Sequence, residues 1–244
     1  MKLPTPQEQY ERYQKKIIPE YFMDMESENV SKRLNSLHGL YSGYKFLGIL
    51  EWYLHKDSKK FKEYMKTAVE YDKDSFLYSK EIRPSNKTST ACLSAMFDAL
   101  NSGNEDLVKS YFTMVDDYYD YDTKPTSHPA NWLYRCLVVL ALNRYENQWS
   151  VFIEKLKKGY STKQYGKLYP LALMLEAIWN KDEMVFNEQA QIFADSYKSM
   201  TRGIFPDYED KLLSLWGLGI CNLAEMKGLK VTIDHQYLPK ELIG

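Results

Sequence analysis

Residues Tyr169–Tyr197 read YPLALMLEAIWNKDEMVFNEQAQIFADSY, and the architecture follows from how they are parsed. Leu171, Ala172, Leu173, Met174, Leu175, Ala177, Ile178 and Trp179 are interrupted only by Glu176, so almost the whole circumference of a helix here is apolar. Such a helix is buried on most sides. Asn180-Lys181-Asp182 makes a polar turn, and Asp182 is placed to cap the next helix by accepting from its unpaired amides. That second helix carries Phe186, Ala190, Phe193 and Tyr197, the i, i+4, i+7, i+11 spacing of one buried stripe. The segment is a pair of antiparallel helices.

Working outward, the same plan recurs. Thr5, Pro6 and Glu8 form a capping box with proline at the first helical position. The helix that follows runs through Tyr10, Tyr13, Ile17 and Ile18 until Pro19 ends or kinks it. After a polar break at 27–30, a long helix is expected from Ser31 to about Leu54. Gly39, Gly43 and Gly48 lie inside it, each costing about 1 kcal/mol against alanine. Close helix–helix approach is the expected compensation. His55-Lys56-Asp57-Ser58 turns the chain, and Phe61, Tyr64, Met65, Ala68 and Val69 stripe the return.

A loop at Arg83–Lys87 leads, with Thr88 or Ser89 as cap, to a helix through Cys92, Met96, Ala99 and Leu100. Asn101-Ser102-Gly103-Asn104 ends it, the glycine supplying a left-handed cap, and Leu107, Val108, Tyr111 and Phe112 return. Trp132–Leu142 is again almost wholly apolar, turns at 143–147, and returns through Val151, Phe152 and Leu156. After a break at Arg202–Asp207, Leu212, Leu213, Leu215, Trp216 and Ile220 form a last buried helix stopped at Gly228. Leu229, Val231 and Ile233 then alternate as a short extended segment. The turns at His55, Asn101, Asn143 and Asn180 recur about every 40 residues, within the range of helical-pair repeats. The expected fold is all-α: a compact, loosely solenoid-like stack of helical hairpins in one domain spanning 1–244, with a short extended C-terminal tail. A plain irregular bundle is the alternative.

The totals exclude several functions. Thirty-two Lys+Arg against 33 Asp+Glu leave a formal charge of -1, which argues against nucleic-acid binding through a basic surface. No run approaches the roughly 18 apolar residues of a membrane span, and the N-terminus lacks an apolar signal core. Cys92, Cys136 and Cys221 are far apart in apolar contexts, as reduced core residues of a cytoplasmic protein would be. The 21 tyrosines would permit a homodimer without requiring one.

Little chemistry is encoded. His38, His55, His128 and His235 are scattered without metal-ligand spacing, and no phosphate-binding glycine loop or nucleophile elbow is present. Glu51, Glu63 and Glu70 lack the Glu-x-x-His partners of a di-iron bundle. Asp234-His235 reads as a polar tail. No cofactor, metal or catalytic residue is expected.

The unusual surface motif is Asp116, Asp117, Tyr118, Tyr119, Asp120, Tyr121 and Asp122. Its carboxylates fall at a helix end where the macrodipole already disfavours negative charge. Such a run suits a basic protein partner, its tyrosines giving contact area at low entropic cost. It equally fits a solvated loop whose tyrosines pack back on the helices. Calcium binding is a third reading, though the glycine and terminal glutamate of an EF-hand loop are missing.

From Leu212 the chain reads LLSLWGLGICNLAEMKGL, followed by Val231-Thr232-Ile233-Asp234 and Tyr237-Leu238-Pro239-Lys240-Glu241-Leu242-Ile243. The apolar helix, glycine stop, V-x-I-D segment and terminal Y-L-P-x-E-L resemble the C-terminus of the immunity protein 49 family. The resemblance implies an all-helical cytoplasmic protein of a bacterial polymorphic-toxin system, binding a cognate toxin and blocking it by occlusion. It brings no catalytic residues. On that reading the run Asp116–Asp122, together with Asp207, Glu209 and Asp210, is the surface offered to a basic toxin. A helical-repeat adaptor that binds a peptide or protein, without any toxin, is the alternative, and a helical enzyme with an unrecognised site is a third.

Overall fold

The computed structural model describes residues 4–82, 92–118 and 128–244. The chain divides into two compact units, Met1–Lys87 and Thr88–Gly244. Among the described residues every regular element is helical, and the only β pairing is an isolated bridge between His235 and Leu238.

The first unit begins with α1 (Pro6–Arg12), whose capping box forms as expected: Thr5 Oγ1 accepts from Glu8 N–H, and Glu8 accepts from Thr5 N–H at 2.7 Å. Pro19 does not end the helical segment, which continues to Met25. One turn earlier the ladder widens to a π turn over Tyr13–Ile17, Ile18 N–H reaching Tyr13 O, and α2 (Ile18–Met25) resumes with Pro19 in its first turn. A first-turn proline owes no hydrogen bond to the preceding carbonyls, so the widening absorbs it.

Asn29 caps α3 (Val30–His55) by accepting from Lys32 N–H, and left-handed Lys56 ends it. Asp57 then caps α4 (Ser58–Ile82), accepting from Lys60 N–H at 3.0 Å. The expected close approaches at the α3 glycines are present on two faces. A Cβ on Gly39 would lie 2.4 Å from the Tyr21 ring and one on Gly43 3.3 Å from Ile18, both against α2. On Gly48 it would lie 2.8 Å from Met65 and 3.3 Å from the Phe61 carbonyl, against α4. Phe61, Met65, Ala68 and Val69 are buried as the stripe requires.

The second unit is a series of hairpins: α5 (Leu93–Asn101) with α6 (Glu105–Tyr118), α7 (Pro129–Leu142) with α8 (Trp149–Tyr160), and α9 (Tyr169–Asn180) with α10 (Glu183–Met200). Asp182 caps α10 through Val185 N–H at 3.0 Å, and Phe186, Ala190, Phe193 and Tyr197 are all buried. Gly103, at φ 64°, stops α5. The final helix, α11 (Leu215–Met226), returns to pack on α5, with Phe97 stacked on Trp216 at 5.0 Å. Gly219 permits this, because a Cβ there would meet Phe97 at 2.8 Å.

Three expectations need correction. Val151 is 52% exposed, and Trp149 takes the inward position, in register with Phe152, Ile153, Leu156 and Tyr160. Trp179, expected in the core, is 36% exposed and stacks on Trp149 at 4.9 Å. Asn101 is no surface turn residue: it is fully buried, donates to Leu215 O at 2.9 Å, and accepts from Asn222 at 3.2 Å.

The extended tail is held by side chains rather than by a strand. Asn187 donates to Lys230 O at 3.0 Å and accepts from Thr232 N–H at 2.7 Å, so its amide imitates a neighbouring peptide. Leu229, Val231 and Ile233 thereby stay buried. The three cysteines are buried and in no disulfide, and burial pushes the Cys136 and Cys221 thiols up. No described helix is long and apolar enough to cross a membrane.

Candidate functional site

Two carboxylates of the acidic tyrosine run fall on the last turn of α6, where helix carbonyls already present negative charge. The structure relieves that conflict with one residue. Arg144, in the turn after α7, places Nη1 at 2.7 Å from both Asp116 Oδ2 and Asp117 Oδ1. The two have different surroundings: the Asp116 side chain is fully buried, whereas that of Asp117 is 62% exposed. Tyr145 adds its hydroxyl, donating to Asp116 Oδ2 at 3.3 Å. Hydrogen bonds to Asp116 and Asp117 hold the guanidinium well above its ordinary value. Burial, followed by the charge of Asp116, raises the Tyr145 phenol.

Asp116 is therefore a framework residue, and Asp117 is the carboxylate the helix end offers to solvent. Tyr118 is half-buried beside it. Tyr119, Asp120, Tyr121 and Asp122 lie outside the described residues. Asp207, Glu209 and Asp210 occupy a separate segment between α10 and α11; Asp207 is exposed and the other two half-buried.

Arg144 and Tyr145 went unnoticed in the sequence because the stretch 143–147 reads as an ordinary polar turn. Tyr145 has φ 58° and Asn143 φ 54°. Asparagine tolerates that left-handed region, but for an aromatic residue it costs on the order of 1–3 kcal/mol. The strained turn nonetheless holds the Tyr145 ring 39% exposed, with its hydroxyl anchored on a buried carboxylate.

The neighbouring hairpin tip joins this turn through α11. Lys227 Nζ donates to Asn143 Oδ1 at 2.9 Å, and Lys181 Nζ donates to the Lys227 carbonyl. Burial, reinforced by the charge of Lys181, pulls the Lys227 amine down. Exposed Trp179 and Met184 flank the Lys181 turn. The second unit thus presents a carboxylate and a tryptophan at helix ends beside an arginine and a tyrosine on a hydrogen-bonded turn. Of these, arginine, tyrosine and tryptophan are the residue types that dominate binding energy at protein interfaces. Among the described residues no three His, Cys, Asp or Glu side chains are grouped so as to hold a metal ion.

No curated protein and no solved structure matches the chain. A family model, Immunity protein 49, matches residues 76–242, a span that begins late in α4 and contains Asp116, Asp117, Arg144 and Tyr145. That span exceeds half of the 244 residues, and the chain belongs to the immunity protein 49 family.

Proposed function

We propose that the protein is a cytoplasmic antitoxin of a bacterial polymorphic-toxin system, which binds a cognate toxin and blocks it by occlusion. Membership of the immunity protein 49 family over residues 76–242 carries this reading. No turnover is required of it. The docking surface we assign is the acidic end of α6: Asp117 and Tyr118 as direct contacts, with Tyr119, Asp120, Tyr121 and Asp122 continuing the run. Asp116 and Arg144 hold the helix end in place, and Tyr145 adds an aromatic anchor. The matching toxin surface is basic, so association is steered electrostatically and weakens with salt.

The test uses the full chain and an inactivated form of the toxin encoded by the adjacent gene. Asp117→Asn, Asp120→Asn and Asp122→Asn are combined, leaving the buried Asp116–Arg144 pair untouched. Affinity should fall at least tenfold, with a shallower salt dependence. Unchanged affinity removes this surface from the account. Failure of the unaltered chain to bind that toxin, or to protect cells expressing it, removes the function.

A further inference from the structure

In the first unit, α1, the π turn and α2 form one continuous rod lying on α3. We infer that this rod is a strap that opens as a single piece, with Tyr10 and Glu51 as its latch, while the α3–α4 hairpin stays closed. The inference is independent of the toxin-binding reading.

The latch is a buried polar pair. The Glu51 side chain, 1% exposed on the inner face of α3, accepts from the Tyr10 hydroxyl, while Lys60 of α4 reaches its other oxygen at 3.4 Å. Gln14, within the π turn, donates to the Tyr10 oxygen at 2.9 Å and reaches the Tyr64 hydroxyl at 3.5 Å. The edge of the His55 ring packs against Tyr10 at 5.6 Å. Hydrogen bonds to a charged group shielded from water are among the stronger single contacts available to a helix this short.

Away from the latch the rod is lightly held. Of residues 4–29, only Tyr10 and Ile18 are fully buried. Further attachments include Tyr13 on Phe46 at 4.9 Å, Phe22 on Tyr71 at 6.0 Å, Tyr21 over the notch at Gly39 and Ile18 against Gly43, and, beside the hinge, a solvent-facing ion pair of Asp24 with Lys32 at 2.6 Å. The π turn also interrupts the regular ladder midway. By contrast, α3 and α4 interlock through Gly48, Phe61, Met65, Ala68 and Val69, none of which needs the rod. Segments with few buried apolar contacts open at lower free energy than the core they cover. Glu26–Asn29, between α2 and α3, is the hinge, with Asn29 capping α3 independently of the rod. Opening bares a helix-wide face of α3 lined by Gly39, Gly43 and Phe46, with Glu51 at its end.

Amide hydrogen exchange on the full chain tests this. Residues 6–25 should exchange together through an opening that leaves 30–79 protected. Tyr10→Phe, which removes the latch donor but keeps the ring, should speed exchange of the rod roughly tenfold to a hundredfold without loosening α3 or α4. Gly39→Ala puts a methyl into the Tyr21 ring and should also speed exchange of the rod. Because alanine is the better helix former, it should leave α3 at least as protected as before. Exchange of the rod only together with α3–α4, or no change in either variant, overturns the proposal.

Discussion

The two units solve the same packing problem differently. In the first, two helices of 26 and 25 residues carry the structure, and a third rod is laid on top. In the second, no helix exceeds 18 residues among those described, and order comes from α11, which touches hairpins distant from it in sequence. Tyr10 and Tyr41 of the first unit are buried, but other tyrosines show a contrast. Tyr44, Tyr64 and Tyr71 of the first unit stay half-buried, with Tyr44 and Tyr71 stacked at 5.6 Å. Tyr111, Tyr134, Tyr160 and Tyr197 of the second are fully buried. The family match begins at residue 76, so it takes in the centrally keyed unit and leaves most of the layered one aside. A unit organised around one helix can fix several short turns relative to each other, as the proposed docking surface requires. A layered unit is better suited to shedding a layer.

Removing the key of the second unit should have the largest effect. Phe97 is fully buried, stacks on Trp216, and fills the notch at Gly219. Phe97→Ala should cost about 3–5 kcal/mol in chemical denaturation. A loss below about 1 kcal/mol would mean that α11 is not central.

Arg144→Ala comes next. It removes the cation paired with the buried Asp116 carboxylate, which keeps the Tyr145 hydroxyl, and Arg144 is itself 38% exposed, so water can partly replace it. The expected loss is about 2 kcal/mol, below the range for fully buried pairs. Asn101→Ala removes the donor to Leu215 O and the acceptor for Asn222, and should cost a similar or slightly smaller amount, about 1–2 kcal/mol. Both are read by denaturation of the full chain; a neutral result for Asn101 would make the buried amide pair decorative.

Alkaline titration distinguishes the half-buried tyrosines of the first unit from the buried ones, with which Tyr10 of the first unit belongs, its phenol raised by burial and by its hydrogen bond to Glu51. Burial raises the Tyr160 and Tyr197 phenols above their ordinary value. A raised native value favours the neutral form, so their stabilisation is complete below the unfolded value of about 10 and is lost as pH climbs through the native one. Their phenolate absorbance should therefore appear together with unfolding. Tyr44 and Tyr71 are also raised, chiefly by burial, yet remain within reach of water. Their signal should appear before the second unit unfolds. One smooth titration of all tyrosines would erase the contrast.

The smallest effect belongs to the cap at the start of the first unit: Thr5→Ala should cost about 1 kcal/mol or less, seen as fraying of α1 in hydrogen exchange.

How much of this could be read in the sequence depended on the range of the interaction. The α9–α10 hairpin, the caps at Thr5 and Asp182, and the α3 glycines were legible because spacing along one helix encodes them. Pro19 misled as a stop because the compensating π turn depends on the backbone of the preceding turn, which residue type does not report. Trp149, not Val151, holds the i, i+3, i+4, i+7 spacing to Phe152, Ile153 and Leu156, so the inward position was legible in the spacing itself. Asn101 reads as a turn residue, since its partners Leu215 and Asn222 lie more than a hundred residues away. The candidate site follows the same rule. The acidic run stood out locally, but the division of labour between Asp116 and Asp117 is set by Arg144, 28 residues from the first of them.

The most direct test of the proposed occlusion by the second unit is a hydrogen-exchange footprint of the full chain with the purified, inactivated product of the neighbouring gene, the toxin on the proposed reading. Protection should concentrate at the end of α6 and in the turn at 143–148, with α3 and α4 unchanged. Protection confined to residues 6–79, or none on the second unit, would contradict the account.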